Sequence, residues 1–255
     1  MAKWARMLVA IDGPAGAGKS TVARLVAERL GFILVDTGAL YRSVALAASR
    51  AGVAFDDEAG VGAIAEELAR DRSIALVPAR EVEDEERGPD SWSRANEGSG
   101  VRVMLAGEDV SIAIRTPEMS LGASRVSAIP RVRAALLDMQ RQAGETGGVV
   151  LEGRDIGTVV FPDAEAKFFL TARPEERAER RFSELTRKGE VTTVEATLAD
   201  VKKRDKADTE RPIAPLKQAD DAILVDSSGK SIIEVVDEIV RVILEREVGE
   251  SAGEG

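Results

Sequence analysis

A glycine-rich turn closed by a lysine and a hydroxyl occupies residues 13–21 of the chain, GPAGAGKST, directly after the short apolar run MLVAI at 7–11. Gly13, Gly16 and Gly18 with Lys19 and Ser20 match the spacing GxxxxGK[ST], with one glycine more than the pattern asks. Glycines let successive backbone N–H groups turn inward around phosphate oxygens with no Cβ in the way. Lys19 adds a mobile positive charge, and Ser20 offers a hydroxyl to Mg²⁺. Gly13, Pro14, Ala15, Gly16, Ala17, Gly18, Lys19, Ser20 and Thr21 are therefore the candidate phosphate cradle.

Such a loop works only between a strand and a helix. Met7 to Ile11 reads as a buried strand, and Lys19 to Leu30 as a helix ended by Gly31, whose positive dipole end faces the same phosphates. Phe32 to Val35 reads as a second strand, followed by a helix from DTGALYR and another at Glu58 to Arg70. The pattern then changes. SIALVP (73–78), VRVMLAG (101–107) and EDVSIAI (108–114) suggest a small antiparallel sheet, while the acidic Gly/Ser/Pro-rich stretch 79–100 reads as an exposed loop of low order. Thr116-Pro117 and Pro130 open two helices, the second running to about Gln142. VVLEG, Lys167 to Leu170 and AILVD (222–226) supply further strands, with an arginine-rich helix from about Pro174 and a last amphipathic helix to about Glu245. Alternating strands and helices specify an α/β chain with a parallel sheet covered on both faces. The end, GESAGEG, reads as a disordered tail.

Composition narrows the chemistry. The 255 residues contain no cysteine and no histidine, which removes thiolate metal sites, disulfides and imidazole acid/base catalysis. A net charge of −10 argues against nucleic-acid and membrane partners, because a polyanion requires a positive face. With no bilayer-length apolar run and no basic-then-apolar leader, a soluble cytoplasmic protein is the simplest reading. The basic residues are instead clustered, in Arg125 to Arg141, Arg154, Arg173 to Arg187 and Arg204 to Arg211.

Ligands of open α/β sheets bind beyond the carboxyl ends of the strands, where three polar clusters fall: the glycine loop, Asp36-Thr37 with Tyr41-Arg42, and Arg154-Asp155. Arg131 and Arg133 sit in the first turn after Pro130, where the helix dipole disfavours a cation by roughly 0.3 to 1 kcal/mol, a penalty that an acceptor-rich ligand would reverse. For any single arginine, an ion pair or solvated surface position remains the alternative.

IDGPAGAGKST, VDTGALYR, GASRVSAIPRVR, EGRDIGTVVFPDA, ERAERR and RDKADTERPIAPL occur in this order over about residues 7 to 245, and with them the chain resembles the bacterial cytidylate kinases. The resemblance implies a P-loop three-layer sandwich with a five-stranded parallel sheet. Residues 1–36, 146–172 and 212–247 would form the core, 37–145 an NMP-binding region with a β insert at about 71–115, 173–211 the lid and its flanking helices, and 248–255 the tail. It implies ATP as phosphoryl donor with Mg²⁺, CMP and dCMP as acceptors, and a monomer. Thr37, Asp208 and Arg211 would contact the sugar, and Arg42, Arg154 and Arg204 the acceptor phosphate. Ser124, Arg133 and Asp155 would read the base, with Tyr41 beside them.

The chemistry of cytosine fits that last set, since a carboxylate and a hydroxyl accept from N4 while a guanidinium donates to N3 and O2. Uracil would leave those partners mispaired, so CMP should be preferred over UMP. Among Arg177, Arg180, Arg181, Arg187 and Lys188, the i, i+4 pair Arg177 and Arg181 is favoured for the transferred phosphate, with Arg180 next; Asp36 would orient water around the metal. Thr37 stands where many relatives have Ser, Glu152 where Asp is common, and the 79–100 loop is longer than the family needs. The rivals are a same-fold kinase for UMP, AMP or shikimate, and a nucleotide switch; guanine-reading switches usually carry an NKxD element, which this chain lacks, Asn96 being its only asparagine.

Overall fold

The computed structural model describes residues 7–78, 101–145, 147–187 and 189–251, with side chains to 246. The acidic stretch 79–100, Lys188 and the last residues, 252–255, lie outside them.

Five strands, β1 (Leu8–Asp12), β2 (Ile33–Asp36), β6 (Val149–Gly153), β7 (Ala166–Thr171) and β8 (Ile223–Asp226), form an all-parallel sheet in the order β2-β6-β1-β7-β8. The strands read as unbroken apolar runs because both faces are covered. Val9, Ile11, Phe168 and Leu170 pack with α1 (Lys19–Leu30) and the last helix, which contributes Val236, Ile239 and Ile243. Ala10, Val149 and Leu151 point to the opposite face, against Ile156 and Val160. β1 lies between β6 and β7, so the loops leaving β1 and β6 emerge side by side, with Asp12 in register with Gly153.

A second core lies between β2 and β6 in sequence. α2 (Thr37–Arg50), α3 (Glu58–Arg70), α4 (Pro117–Val126) and α5 (Pro130–Gln142) bury Leu40, Val44, Val61, Met119, Val132 and Leu136 with an antiparallel sheet of β3 (Ile74–Pro78), β4 (Val101–Leu105) and β5 (Glu108–Asp109). The run EDVSIAI is a strand only at its first two residues. Ser111 turns its hydroxyl back to accept from the Val103 amide at 2.9 Å, and Ala113–Arg115 winds into a single 3₁₀ turn. Two helices, α6 (Pro174–Arg187) and α7 (Val194–Glu210), follow β7, and α8 (Ile232–Ser251) closes the chain. Helical backbone therefore runs into the expected tail as far as Ser251.

Candidate active site

The glycine loop links the end of β1 to α1. Gly13 adopts φ 148°, and a Cβ there would lie 2.0 Å from the Leu170 carbonyl oxygen of β7, so only glycine fits. Gly16 (φ 78°) and Gly18 (φ 91°) are also left-handed. α1 starts on Gly18 with no side-chain cap, leaving first-turn N–H groups for an anion.

Three cations bind backbone carbonyls of this loop. Lys19 Nζ donates to the Pro14 carbonyl at 2.8 Å, Arg177 Nη1 to Ala15 at 3.0 Å, and Arg180 Nη1 to Ala17 at 3.4 Å. The C=O and N–H of one peptide unit point in opposite directions, so anchoring these carbonyls outward turns the amides of Ala15, Gly16 and Gly18 the other way.

Arg177 is thereby committed to protein acceptors. It is 3% exposed, bonds Ala172 O through Nε, and makes a bidentate pair with Asp205 of α7 at 2.9 and 2.5 Å. The i, i+4 argument expected it over the transferred phosphate; in the structure its guanidinium is engaged by Asp205 and by the Ala15 and Ala172 carbonyls. Arg180 also bonds Ser227, Arg181 pairs with Glu184 at 2.8 Å within α6, and Arg187 reaches the Ser183 carbonyl at 3.4 Å. The charge of Arg181 contributes to lowering the Arg204 pKa.

Ser20 Oγ donates to Glu152 Oε2 at 3.0 Å, and Glu152 Oε1 is buried with no hydrogen-bond partner among the described residues. Burial, then the Asp36 charge, raises the Glu152 carboxyl above the usual carboxylate range, against the pull of Lys19 and Ser20. A hydroxyl, an orphaned carboxylate oxygen and a neighbouring carboxylate are hard oxygen donors, a set that suits Mg²⁺. They do not form an all-protein cage: no group of three or more acidic ligands stands together among the described residues. Asp36 caps α2 through the Ala39 amide (3.1 Å) and binds Arg42 at 2.6 Å. Thr37 Oγ1 donates to the Glu152 carbonyl at 2.7 Å.

The facing wall is a lattice of paired charges. Asp155 receives Arg133 Nη2 on one oxygen and Arg211 Nη2, at 3.1 Å, on the other. Both arginines also reach Ser127, on its carbonyl and hydroxyl, and Arg133 lies 5.7 Å from the centroid of the Tyr41 ring. Arg154 Nε binds Asp208 at 2.9 Å, and Asp208 stays below its usual value although burial opposes this, because Arg154 and Arg204 surround it. Burial and the Arg154 charge push Arg204 down to about 10. The Nε groups of Arg42 and Arg204 are buried without a partner among the described residues. Crowded like charges with unsatisfied donors are a place for an anion. Ser124 lies half-buried in α4, its carbonyl accepting from Ser127.

The glycine loop and the arginine-carboxylate wall meet at Lys19. The Lys19 ammonium is held well below its usual value by burial and by the Arg154 and Arg204 charges, with Glu152 and Asp208 opposing. Of two further positions, the sequence reading left one open and did not name the other. Arg131 turns away to Glu66 of α3, at 2.7 and 2.9 Å. Arg115 was missed: it is half-buried at the end of the 3₁₀ turn, desolvation lowers its pKa, and Asp36, Arg42 and Glu152 face it. An arginine in an otherwise apolar AIR triplet just before the Thr116 cap was the available signal.

The cytidylate kinase family model matches residues 9–245. A cytidylate kinase from Geobacter sp. (strain M21) is 51% identical over 94% of each chain. One from Syntrophotalea carbinolica is 49% identical over 95% of this chain and 94% of its own, and one from Pseudomonas aeruginosa is 47% identical over 92% and 93%. With a phosphate loop and an arginine-carboxylate wall opening from adjacent strands, and with matches of this extent, the chain belongs to the cytidylate kinase family.

Proposed function

We propose that the chain transfers the γ-phosphoryl group of ATP to CMP, and to dCMP, giving ADP and the cytidine diphosphate. An acceptor phosphate oxygen attacks the γ-phosphorus in line, a new P–O bond forms as the β,γ-bridging bond breaks, and ADP carries away the electron pair; no covalent enzyme intermediate is needed. What carries this reading is the meeting of Lys19 with the Arg154, Arg204 and Asp208 cluster at the ends of neighbouring strands β1 and β6.

The loop amides and Lys19 hold the donor phosphates, with the loop braced from behind by Arg177 and Arg180. Arg42, Arg154 and Arg204, joined by Arg115, hold the acceptor phosphate, and Arg181 covers the transferred group from the lid. Thr37, Asp208 and Arg211 meet the sugar; Ser124, Arg133 and Asp155 read the cytosine edge over Tyr41. Ser20 would ligate Mg²⁺, with Glu152 and Asp36 facing its water shell; when bound, the ion neutralises phosphate charge. Rate enhancement then comes from positioning and from preorganised positive charge. The core, NMP-binding and lid divisions of the chain, a monomeric state and a cytoplasmic setting in pyrimidine metabolism complete the proposal. No described helix is long and apolar enough to cross a membrane.

Incubation with ATP, Mg²⁺ and CMP, followed by ³¹P NMR, should show ADP and CDP rising in equal amounts. ATP hydrolysis without CDP would overturn the assignment.

A further inference from the structure

Asp12, the last residue of β1, is 5% exposed and takes no part in the chemistry above. Its two carboxylate oxygens accept from two successive backbone amides of another loop, Oδ1 from Ile156 N at 2.9 Å and Oδ2 from Gly157 N at 2.8 Å. Those amides open the π-helical turn Ile156–Val160, and the residue just before it is Asp155, whose own carbonyl closes the turn by accepting from Val159 and Val160. Asp155 has φ −145° and ψ 25°, outside the regular helix and strand regions. On its other side Asp12 is bonded covalently to Gly13, the first residue of the phosphate loop.

We propose that Asp12 is a positioning residue for base selection: it fastens the loop that presents Asp155 to the strand end that launches the phosphate loop, so that the distance between base-reading and phosphate-holding groups is fixed. The geometry suits a carboxylate and little else. Two parallel N–H donors need two acceptor oxygens on one planar group, and the Asp side chain is short enough to stay level with β1. A Cβ on Gly157 would lie 3.2 Å from Lys167 Cδ and 3.5 Å from Asp12 Oδ2, so the turn is packed closely where the clamp acts. Burial pushes the Asp12 carboxyl up to about 6 against the pull of the Gly157 and Ile156 amides, with the Asp155 charge raising it and Lys19 lowering it. Such a buried acid is costly to keep, and its two directed bonds are what it supplies.

The assignment rests on CMP being the acceptor, and the test separates the two ideas. In Asp12→Asn one oxygen remains, and an NH₂ group faces the second amide. In steady-state assays the variant should show the KM for CMP raised about tenfold, the ratio of kcat/KM for CMP over UMP lowered by a similar factor, and the KM for ATP within about twofold of the parent. A residue needed only for folding would lower the yield of active enzyme and leave both the KM for CMP and the CMP-to-UMP ratio untouched; that result overturns the proposal. Should the variant not fold, hydrogen exchange on the unaltered protein decides. The Ile156 and Gly157 amides are expected to be protected and to slow further with CMP but not with ATP alone, and exchange indifferent to CMP would overturn the idea. If the unaltered protein phosphorylates no CMP at all, the proposed function fails first, independently of either Asp12 result.

Discussion

The two halves of the cleft use opposite materials. The donor half is backbone: one stretch of nine residues, three of them left-handed glycines, held open by cations that bind its outward carbonyls. The acceptor half is side chain: Arg42, Arg133 and Arg204 come from three helices, Arg154 and Arg211 from the segments that follow β6 and α7, and their order depends on Asp36, Asp155 and Asp208. Amides recognise phosphate whatever base it carries, whereas a lattice of directed donors and acceptors discriminates between bases. Under the proposed function generic binding and selectivity are separated in space, and substitutions in each half should fail in different ways.

The largest effect is expected from Lys19→Ala, which should lower kcat by about 10²–10³-fold, the scale of losing one preorganised charge on the reacting phosphates, and do so equally for CMP and UMP. A changed base preference would break the comparison. Asp155→Asn should behave conversely. It leaves Arg133 and Arg211 buried without their shared counterion, and kcat/KM for CMP should fall about 10²-fold with the CMP-to-UMP ratio approaching one, while the KM for ATP barely moves. Isothermal titration with ATP and CMP separately would show which half was damaged.

Arg177→Ala and Arg181→Ala sharpen the contrast between bracing and contact. Removing Arg177 strands Asp205 and the Ala15 carbonyl and should cost about 3 kcal/mol of unfolding free energy, read by urea denaturation. Arg181 pairs only 3 residues along its own half-exposed helix face, so Arg181→Ala should leave stability within about 0.5 kcal/mol and act on kcat.

The smallest effect is in pH. The folded-state value of Asp12 lies near 6 against 3.8 unfolded, so folding takes up a proton between these values. The stability Asp12 contributes is therefore fully present below pH 3.8 and lost as pH rises through 6. Relative to Asp12→Asn, the unaltered protein should have its greatest stability advantage near pH 4 and a smaller one at pH 7.

The same division explains what could be read without coordinates. The donor half is local: strand, glycines, lysine and helix are contiguous, and the reading of Lys19 to Leu30 coincides with α1. Glu58 to Arg70 and Pro130 to Gln142 were also legible, because Asp57 caps one and proline starts the other. The acceptor half joins residues far apart in sequence, such as Ser127 and Arg211, 84 positions apart, and no periodicity reports such a pairing; only the resemblance brought them to one site. Helical spacing gave Arg177 and Arg181 a common face but could not show that Asp205 lay waiting for the first. Alternation in EDVSIAI suggested a strand, yet the Ser111 hydroxyl, returned to the Val103 amide, ended the ladder after Asp109.

The comparison of kcat/KM for CMP, UMP and AMP at saturating ATP bears most directly on a cleft with a generic donor side and a selective acceptor side. CMP should exceed both others by at least about 10²-fold, as expected when buried donors and acceptors are mispaired by the wrong base. Equal values for CMP and UMP would contradict the roles given to Arg133 and Asp155, and with them the division of the cleft.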